Sequence, residues 1–328
     1  MHRRLAVKGE VQGVGLRPWV WRQATSLGLM CWVRNTAQGI EMDLHGDADL
    51  IDAFQAHLWQ MPAPARVEQV DVIALAGKDD AASMAPEAKS LEAHIGIAPA
   101  RPTTVGADLG VCARCLGELF DADDRRWRHP FIHCPQCGPR YTLTRSLPFD
   151  RGHTSMAGFV PCADCEAEFG NSSDRRYHHQ TNACPVCGPR LSLRQADGSV
   201  DTVDPIASTV RLLSEGGIVA IKGLGGFHLC CDARQPAALA RLRQRKRREG
   251  KPLAVMMANA ASVRPWARLH AHEQRWLQSP ERPIVLLEQT ERARHELADL
   301  APGLAWLGVM LPYTPIHYLL FRRSLRPP

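Results

Sequence analysis

Eight of the eleven cysteines in this 328-residue chain fall into one spacing that occurs twice. Cys112, Cys115, Cys134 and Cys137 form C-x2-C-x18-C-x2-C, and Cys162, Cys165, Cys184 and Cys187 repeat it fifty positions later. The shift carries other residues with it: Glu118 onto Glu168, Asp124-Arg125-Arg126 onto Asp174-Arg175-Arg176, and Gly138-Pro139-Arg140 onto Gly188-Pro189-Arg190. This is an internal duplication, and four soft thiolates per copy suit a closed tetrahedral zinc site. Two structural zinc ions are therefore expected in a module covering residues 105–195. The segment is poor in large aliphatic residues, so the metal should supply much of its folding energy. A catalytic zinc would need an open position and usually a His or carboxylate ligand. His129, His133, His178 and His179 lie nearby, yet each copy already has four thiols. Spacing leaves the pairing open: each copy holds its own ion, or outer and inner pairs interleave.

Cysteines in this number without a secretory signal point to a reducing compartment and metal binding rather than disulfides. The opening stretch MHRRLAVKGEVQG has basic residues with no apolar stretch behind them, and no run of about 18 apolar residues occurs. A cytoplasmic protein with no membrane span is expected. The net charge of +6 suits phosphate-bearing substrates as well as nucleic acid. Aromatics make up only 6% of the chain, which offers no evident stacking platform and makes nucleic acid an unfavoured partner.

Residues 1–97 read as one domain. Leu5 and Val7 alternate with polar neighbours as in a strand. Gln12-Gly13-Val14-Gly15-Leu16-Arg17 then forms a glycine-containing loop leading into a helix that starts near Pro18. Such a loop lets successive backbone N–H groups converge on an anion, and the helix N-terminus adds positive potential. Arg17 can add a bidentate hold on a phosphoryl group. Strand-like Leu29–Arg34, a turn at 35–39, strand-like Ile40–Leu44, a helix over Asp49–Gln60 and a strand over Val67–Leu75 complete a β-α-β-β-α-β order, the ferredoxin-like plan. The pattern G-x-V-Q-G-V-G-x-R followed by V-R-N resembles the acylphosphatase family. The resemblance implies phosphate binding by Arg17, a cradle of amides from Gln12 through Arg17, and an attacking water held by Asn35. Leu16 stands where that family often has Phe.

Residues 200–328 read as α/β. A helix over Pro205–Glu215, a strand over Gly217–Lys222, a second glycine-rich turn, a helix with a basic end, and strands at Leu253–Met257, Pro283–Leu287 and from Leu307 follow one another. Cys31, Cys230 and Cys231 sit in apolar surroundings and read as inert thiols. His228 and His317 suit either substrate contact or a hydrogen-bonded structural role.

KGLGGFHLCCDA, RKRREGKPLAVM, SPERPIVLL and LGVMLPYTPIH resemble the YrdC-like domain of the HypF family of hydrogenase-maturation carbamoyltransferases, and the three-part order is that family's. The expected fold class is α+β multidomain: a ferredoxin-like acylphosphatase domain, a small zinc-bound module and a partial α/β YrdC-like domain. The resemblance implies hydrolysis of carbamoyl phosphate, activation of the carbamate with ATP and magnesium, and transfer to a cysteine of a HypE-like partner, towards the cyanide ligands of the [NiFe] centre. It also implies that Lys222, Lys246, Arg248 and Lys251 contact nucleotide. A charge run such as 245–248 would otherwise read as a solvated helix face. Family members are more than twice this long. The expectation is therefore an incomplete YrdC-like fold, doubtful adenylation and no transfer within this chain. Competing readings are an RNA-binding protein and a non-catalytic docking fragment.

Overall fold

The computed structural model describes residues 1–73, 104–248 and 250–324. Of the sequence expectations, the end of the fourth strand at 74–75 and the limit of the first domain at 97 lie outside the described residues. The chain divides into two compact units, Met1–Asp108 with His133–Gly188, and Leu109–Ile132 with Pro189–Pro328.

The first unit is built on an antiparallel four-stranded sheet in the order β2-β3-β1-β4. Its elements are β1 (His2–Glu10), α1 (Leu16–Ser26), β2 (Met30–Thr36), β3 (Gly39–His45), α2 (Ala48–His57) and β4 (Arg66–Ile73). The expected order is therefore present in the ferredoxin-like arrangement. Alternation on β1 buries Leu5 and Val7, and these join Ile40, Met42 and Leu44 of β3 with Val20 of α1 and Ile51 and Phe54 of α2 in one core. Each such side chain, fully buried, stabilises by about 1.5–3 kcal/mol. β1 bulges against β4 between Lys8 and Gly9. Gly9 has φ +127°, and a Cβ there would collide with the Arg66 carbonyl, so glycine is required.

Two local expectations shift. The helix begins at Leu16, with Gly15 as its N-cap at φ +79°, so Pro18 is its third residue rather than its first. The missing N–H of Pro18 still falls in the first turn, where no intrahelical acceptor exists, so proline is tolerated. The turn after β2 is shorter than the sequence suggested. Pairing continues through Thr36 with Gly39, and Asn35 is a strand residue paired with Ile40.

Within the same unit, α4 of the second cysteine repeat (Ala163–Gly170) packs in the 133–188 segment. Its counterpart α3 (Ala113–Phe120) belongs to the second unit. The duplication persists in the backbone. Arg128 and His178, fifty residues apart, are both left-handed at φ 55° and 53°. Their amides donate to Leu119 and Phe169 respectively, at 2.8 and 3.0 Å.

The second unit contains the short hairpin β5 (Leu193–Arg194) and β6 (Val200–Asp201), α5 (Pro205–Ser214), and a hairpin of β7 (Val219–Gly223) and β8 (Gly226–Cys230). α6 (Pro236–Lys246), β9 (Val255–Met256), α7 (Ala260–Val263), α8 (Ala271–Gln278), β10 (Val285–Glu288), α9 (Glu291–Glu296), β11 (Trp306–Met310) and α10 (Pro315–Ser324) follow. β11 pairs parallel to β9 and antiparallel to β10. Leu239, Leu277, Leu287, Leu307 and Val309 form its core. α5 starts where proline predicts, with Asp204 Oδ1 accepting from the Ala207 amide as an N-cap.

Candidate active site and cysteine centres

The glycines of the first loop set its shape. Gly13 and Gly15 lie at φ +72° and +79°, which turns the chain sharply into α1. The amides of Val14, Gly15, Leu16 and Arg17 face no acceptor among the described residues, as befits the start of a helix. Gln12 is buried and fully engaged. Its Nε2 donates to the carbonyls of Thr36 (2.6 Å) and Gly39 (2.7 Å), and its Oε1 accepts from the Phe149 amide at 2.8 Å. The Gln12 side chain thus braces the loop on the β2–β3 turn.

Arg17 and Asn35 line one small cavity, about 20 Å³, together with Gly13, Gly15 and Leu16. Arg17 is 7% exposed and donates from Nη2 to Asp150 Oδ1 at 2.9 Å. Burial lowers its pKa from the ordinary guanidinium value, and the neighbouring Asp150 charge offsets part of that. Asn35 is 1% exposed. Its Nδ2 donates to the Phe149 carbonyl at 3.0 Å, while Oδ1 is buried with no hydrogen-bond partner among the described residues. An acceptor of this kind is open to a donor on water or a ligand. Gln12 and Val14 are not among the lining residues.

The remaining wall comes from far along the chain. Pro135, Phe149, His178, His179 and Gln180 come from the cysteine-repeat segment and complete the cavity. A Cβ on Gly13 would meet the Phe149 ring at 3.1 Å, and one on Gly15 would meet Pro135 Cβ at 3.1 Å. Burial and the nearby Arg17 push the His178 pKa down to about 4, so its ring is neutral at pH 7. Phe149 and Asp150 lie between the two cysteine repeats, outside the duplicated pattern. In the sequence only the adjacent charges Asp150 and Arg151, embedded in LPFDR, mark that stretch.

The structure decides how the cysteines group. The Sγ atoms of Cys112, Cys115, Cys134 and Cys137 lie within 4.8 Å of one another, and so do those of Cys162, Cys165, Cys184 and Cys187. Each repeat makes its own set, and the interleaved alternative is excluded. Zn–S bonds of about 2.3 Å in a tetrahedron require sulfurs about 3.8 Å apart. The observed separations are 3.8 Å for Cys134–Cys137, 3.6 Å for Cys162–Cys184, 3.7 Å for Cys184–Cys187 and 3.6 Å for Cys165–Cys187. Disulfide sulfurs would be about 2.05 Å apart. Donor type and spacing therefore fit zinc in both sets. Cys112 and Cys162 are the N-caps of α3 and α4, whose positive ends favour thiolate.

The cations expected at a nucleotide site are spread over the second unit. Lys222 is exposed on β7, 5.9 Å from the Phe227 ring. α6 ends at Lys246 and Arg247 turns left-handed, so the basic run is split between helix and loop. Arg248 donates to the Pro252 carbonyl at 3.0 Å, and Lys251 is exposed in the same loop. His228 bonds Tyr313 Oη at 2.8 Å, and its ring stacks 5.7 Å from that of His317. Burial, then His228, pushes His317 down to about 4. Burial raises Cys31 to about 12 and Cys230 to about 11, and also raises Cys231, in keeping with inert thiols. Among the described residues no helix is long and apolar enough to cross a membrane.

Comparison with known proteins adds to this geometry. Residues 3–83 match the acylphosphatase family, 111–144 and 162–194 the HypF finger, and 211–327 the telomere recombination family of YrdC-like domains. Carbamoyltransferase HypF2 of Cupriavidus necator is 52% identical over 323 residues, covering 98% of this chain and 39% of that protein. An acylphosphatase of Rhizorhabdus wittichii is 44% identical over 71 residues, 21% of this chain and 72% of that protein. A crystal structure of full-length HypF in a phosphate- and nucleotide-bound form superposes with a TM-score of 0.86 at 37% identity, covering 98% of this chain and 41% of that one. The chain thus spans about two fifths of the length of these HypF relatives. An acylphosphatase-like fold, a finger with two four-cysteine sites and a partial YrdC-like domain, in one chain and in this order, place it in the HypF family of carbamoyltransferases.

Proposed function

We propose that this chain hydrolyses carbamoyl phosphate at the cavity between Gly13 and Asn35. The observation that carries the reading is the convergence there of a buried cation, Arg17, and an unpartnered buried acceptor, Asn35 Oδ1. The amides of Val14 to Arg17 and the guanidinium bind the phosphoryl oxygens. A water donates a hydrogen bond to Asn35 Oδ1, which leaves a lone pair aimed at phosphorus, and its protons stay with the phosphate that is released. In-line attack forms the new P–O bond as the bond to the carbamate oxygen breaks, and carbamate departs as an anion. Little help from a base is needed, because the leaving group is good and fixed positive charge stabilises the equatorial oxygens. In this reading residues 1–97 carry the hydrolysis, residues 105–195 hold two zinc ions as structural metal, and residues 200–328 form the start of the YrdC-like part.

The later steps follow from family membership. In the longer family proteins ATP, with magnesium, would activate the carbamate, with cations at the positions of Lys222, Lys246, Arg248 and Lys251 for its phosphates, and a HypE-like protein would accept the carbamoyl group; transfer is not expected within this chain. That a HypF relative was crystallised with both phosphate and nucleotide is consistent with two such steps.

The test is incubation of the full chain with carbamoyl phosphate, with and without ATP, following phosphate and pyrophosphate separately. Phosphate release that is abolished in Arg17→Ala and Asn35→Ala, with zinc content unchanged, is the expected result. Full activity of Arg17→Ala would overturn the assignment.

A further inference from the structure

Asp150 sits where no isolated acylphosphatase-like fold would supply a residue, in the stretch between the two cysteine repeats. It is buried at 8% exposure and touches the cradle through one contact, Oδ1 to Arg17 Nη2 at 2.9 Å. Arg17 lines the cavity and Asp150 is not among its lining residues, so the carboxylate reaches the site through the guanidinium. Its second oxygen, Oδ2, is buried without a hydrogen-bond partner among the described residues. The preceding residue acts on the rest of the cradle. The Phe149 carbonyl accepts from Asn35 Nδ2, which leaves Oδ1 as the free end of that amide, and the Phe149 amide donates to Gln12 Oε1.

We propose that Asp150 is a positioning residue: it fixes the Arg17 guanidinium against the cavity and, by cancelling part of its charge, limits how tightly the site holds phosphate. This rests on the reading of the cavity as a phosphoryl site. A charge-assisted bond to a carboxylate restrains a long side chain more firmly than a neutral one does. A buried anion this close to Arg17 also acts on a phosphate dianion in the cavity through a low-dielectric path, and its sign is repulsive. Ground-state binding is thereby weakened while the geometry needed at the transition state is kept, which favours turnover over product retention. Asp150 touches no substrate and moves no proton in this role.

The experiment uses the full chain and inorganic phosphate as the probe. Binding is measured by calorimetry and by competition in the hydrolysis assay, alongside kcat and KM. Asp150→Asn keeps shape and acceptor but removes the charge. The expected outcome is phosphate binding tighter by about five-fold or more, KM lower in the same direction, and kcat down by about ten-fold. Asp150→Ser provides the neutral variant if the Asn form loses zinc or melts early. A purely structural role would weaken phosphate binding and kcat together. Phosphate affinity that is unchanged or weaker in the folded neutral variant overturns the proposal, whatever kcat does. If Arg17→Ala is inactive while Asp150→Asn behaves as wild type, only the role of Asp150 fails. If Arg17→Ala is fully active, the phosphoryl-site reading fails with it.

Discussion

Arg140 donates from Nε to the carbonyl of Gly13 at 2.9 Å, joining the turn after the first cysteine repeat to the glycine loop 127 residues earlier in the chain. The same guanidinium donates to the carbonyls of Gly138 (3.1 Å) and Pro135 (2.6 Å), and it is 2% exposed. Burial lowers its pKa, offset by Cys137, Cys134 and Asp108. Arg140→Ala would leave three carbonyls without this donor and is expected to destabilise the first unit by about 2–4 kcal/mol. Denaturant unfolding followed by Trp fluorescence measures the loss. A change below about 0.5 kcal/mol would mean the guanidinium is dispensable.

Metal content separates the two cysteine sets. Elemental analysis of the purified chain is expected to give two zinc ions per molecule, and Cys115→Ser or Cys165→Ser one. Strong chelation should expose hydrophobic surface and lower the melting temperature, because ligand binding and folding are linked. Retention of two ions in either variant would refute the grouping of ligands by repeat.

Gly13→Ala tests the tight roof over the loop. The residue has φ +72°, and a Cβ would press on the Phe149 ring at 3.1 Å. The substitution should cost about 1–2 kcal/mol and reduce phosphate release at least ten-fold, since the loop must open or the ring must shift. Gly28 offers the control, at φ +70° with open space around a Cβ, where strain acts without crowding. Equal loss of activity at both positions would show that crowding at Phe149 is irrelevant.

His178 gives a pH dependence with a defined sign. Its folded pKa, about 4, lies below the ordinary 6.5, so the unfolded chain binds this proton first as pH falls. The contribution to stability is complete above pH 6.5 and is lost between 6.5 and 4. His178→Gln should flatten the difference in unfolding midpoint between pH 6.5 and 4.5 relative to wild type. In the same view phosphate release should show no inflection near pH 6.5 from this ring, and an inflection that vanishes in His178→Gln would contradict it.

Much of the first unit is legible in one dimension. Leu5 and Val7 alternate because one sheet face is buried, and Gly13, Gly15 and Arg17 cluster because a loop entering a helix can cradle an anion. The differences are local: the helix opens at Leu16, two residues before Pro18, because left-handed Gly15 caps it, and the β2–β3 pairing runs on into the polar residues that suggest a turn. The cations assigned to nucleotide illustrate the opposite case. A run such as Arg245 to Arg248 reads as one feature in sequence, but the helix stops at Lys246 and distributes it over two kinds of backbone.

By itself the sequence determined the ligand types, the fifty-residue duplication, the order of the three parts and the identity of Arg17 and Asn35 as candidates. Short-range chemistry is enough for these, since metal donors, glycine turns and hydrophobic periods repeat at fixed spacings. Only the tertiary structure decided which sulfurs share a site, that Asn35 presents its oxygen rather than its nitrogen, and that Phe149 and Asp150 close the cradle. The last two depend on contacts between residues more than a hundred positions apart, such as Arg17 with Asp150 and Asn35 with Phe149. No local spacing encodes such a contact. Packing and the need to pair buried charge and hydrogen-bonding groups select it.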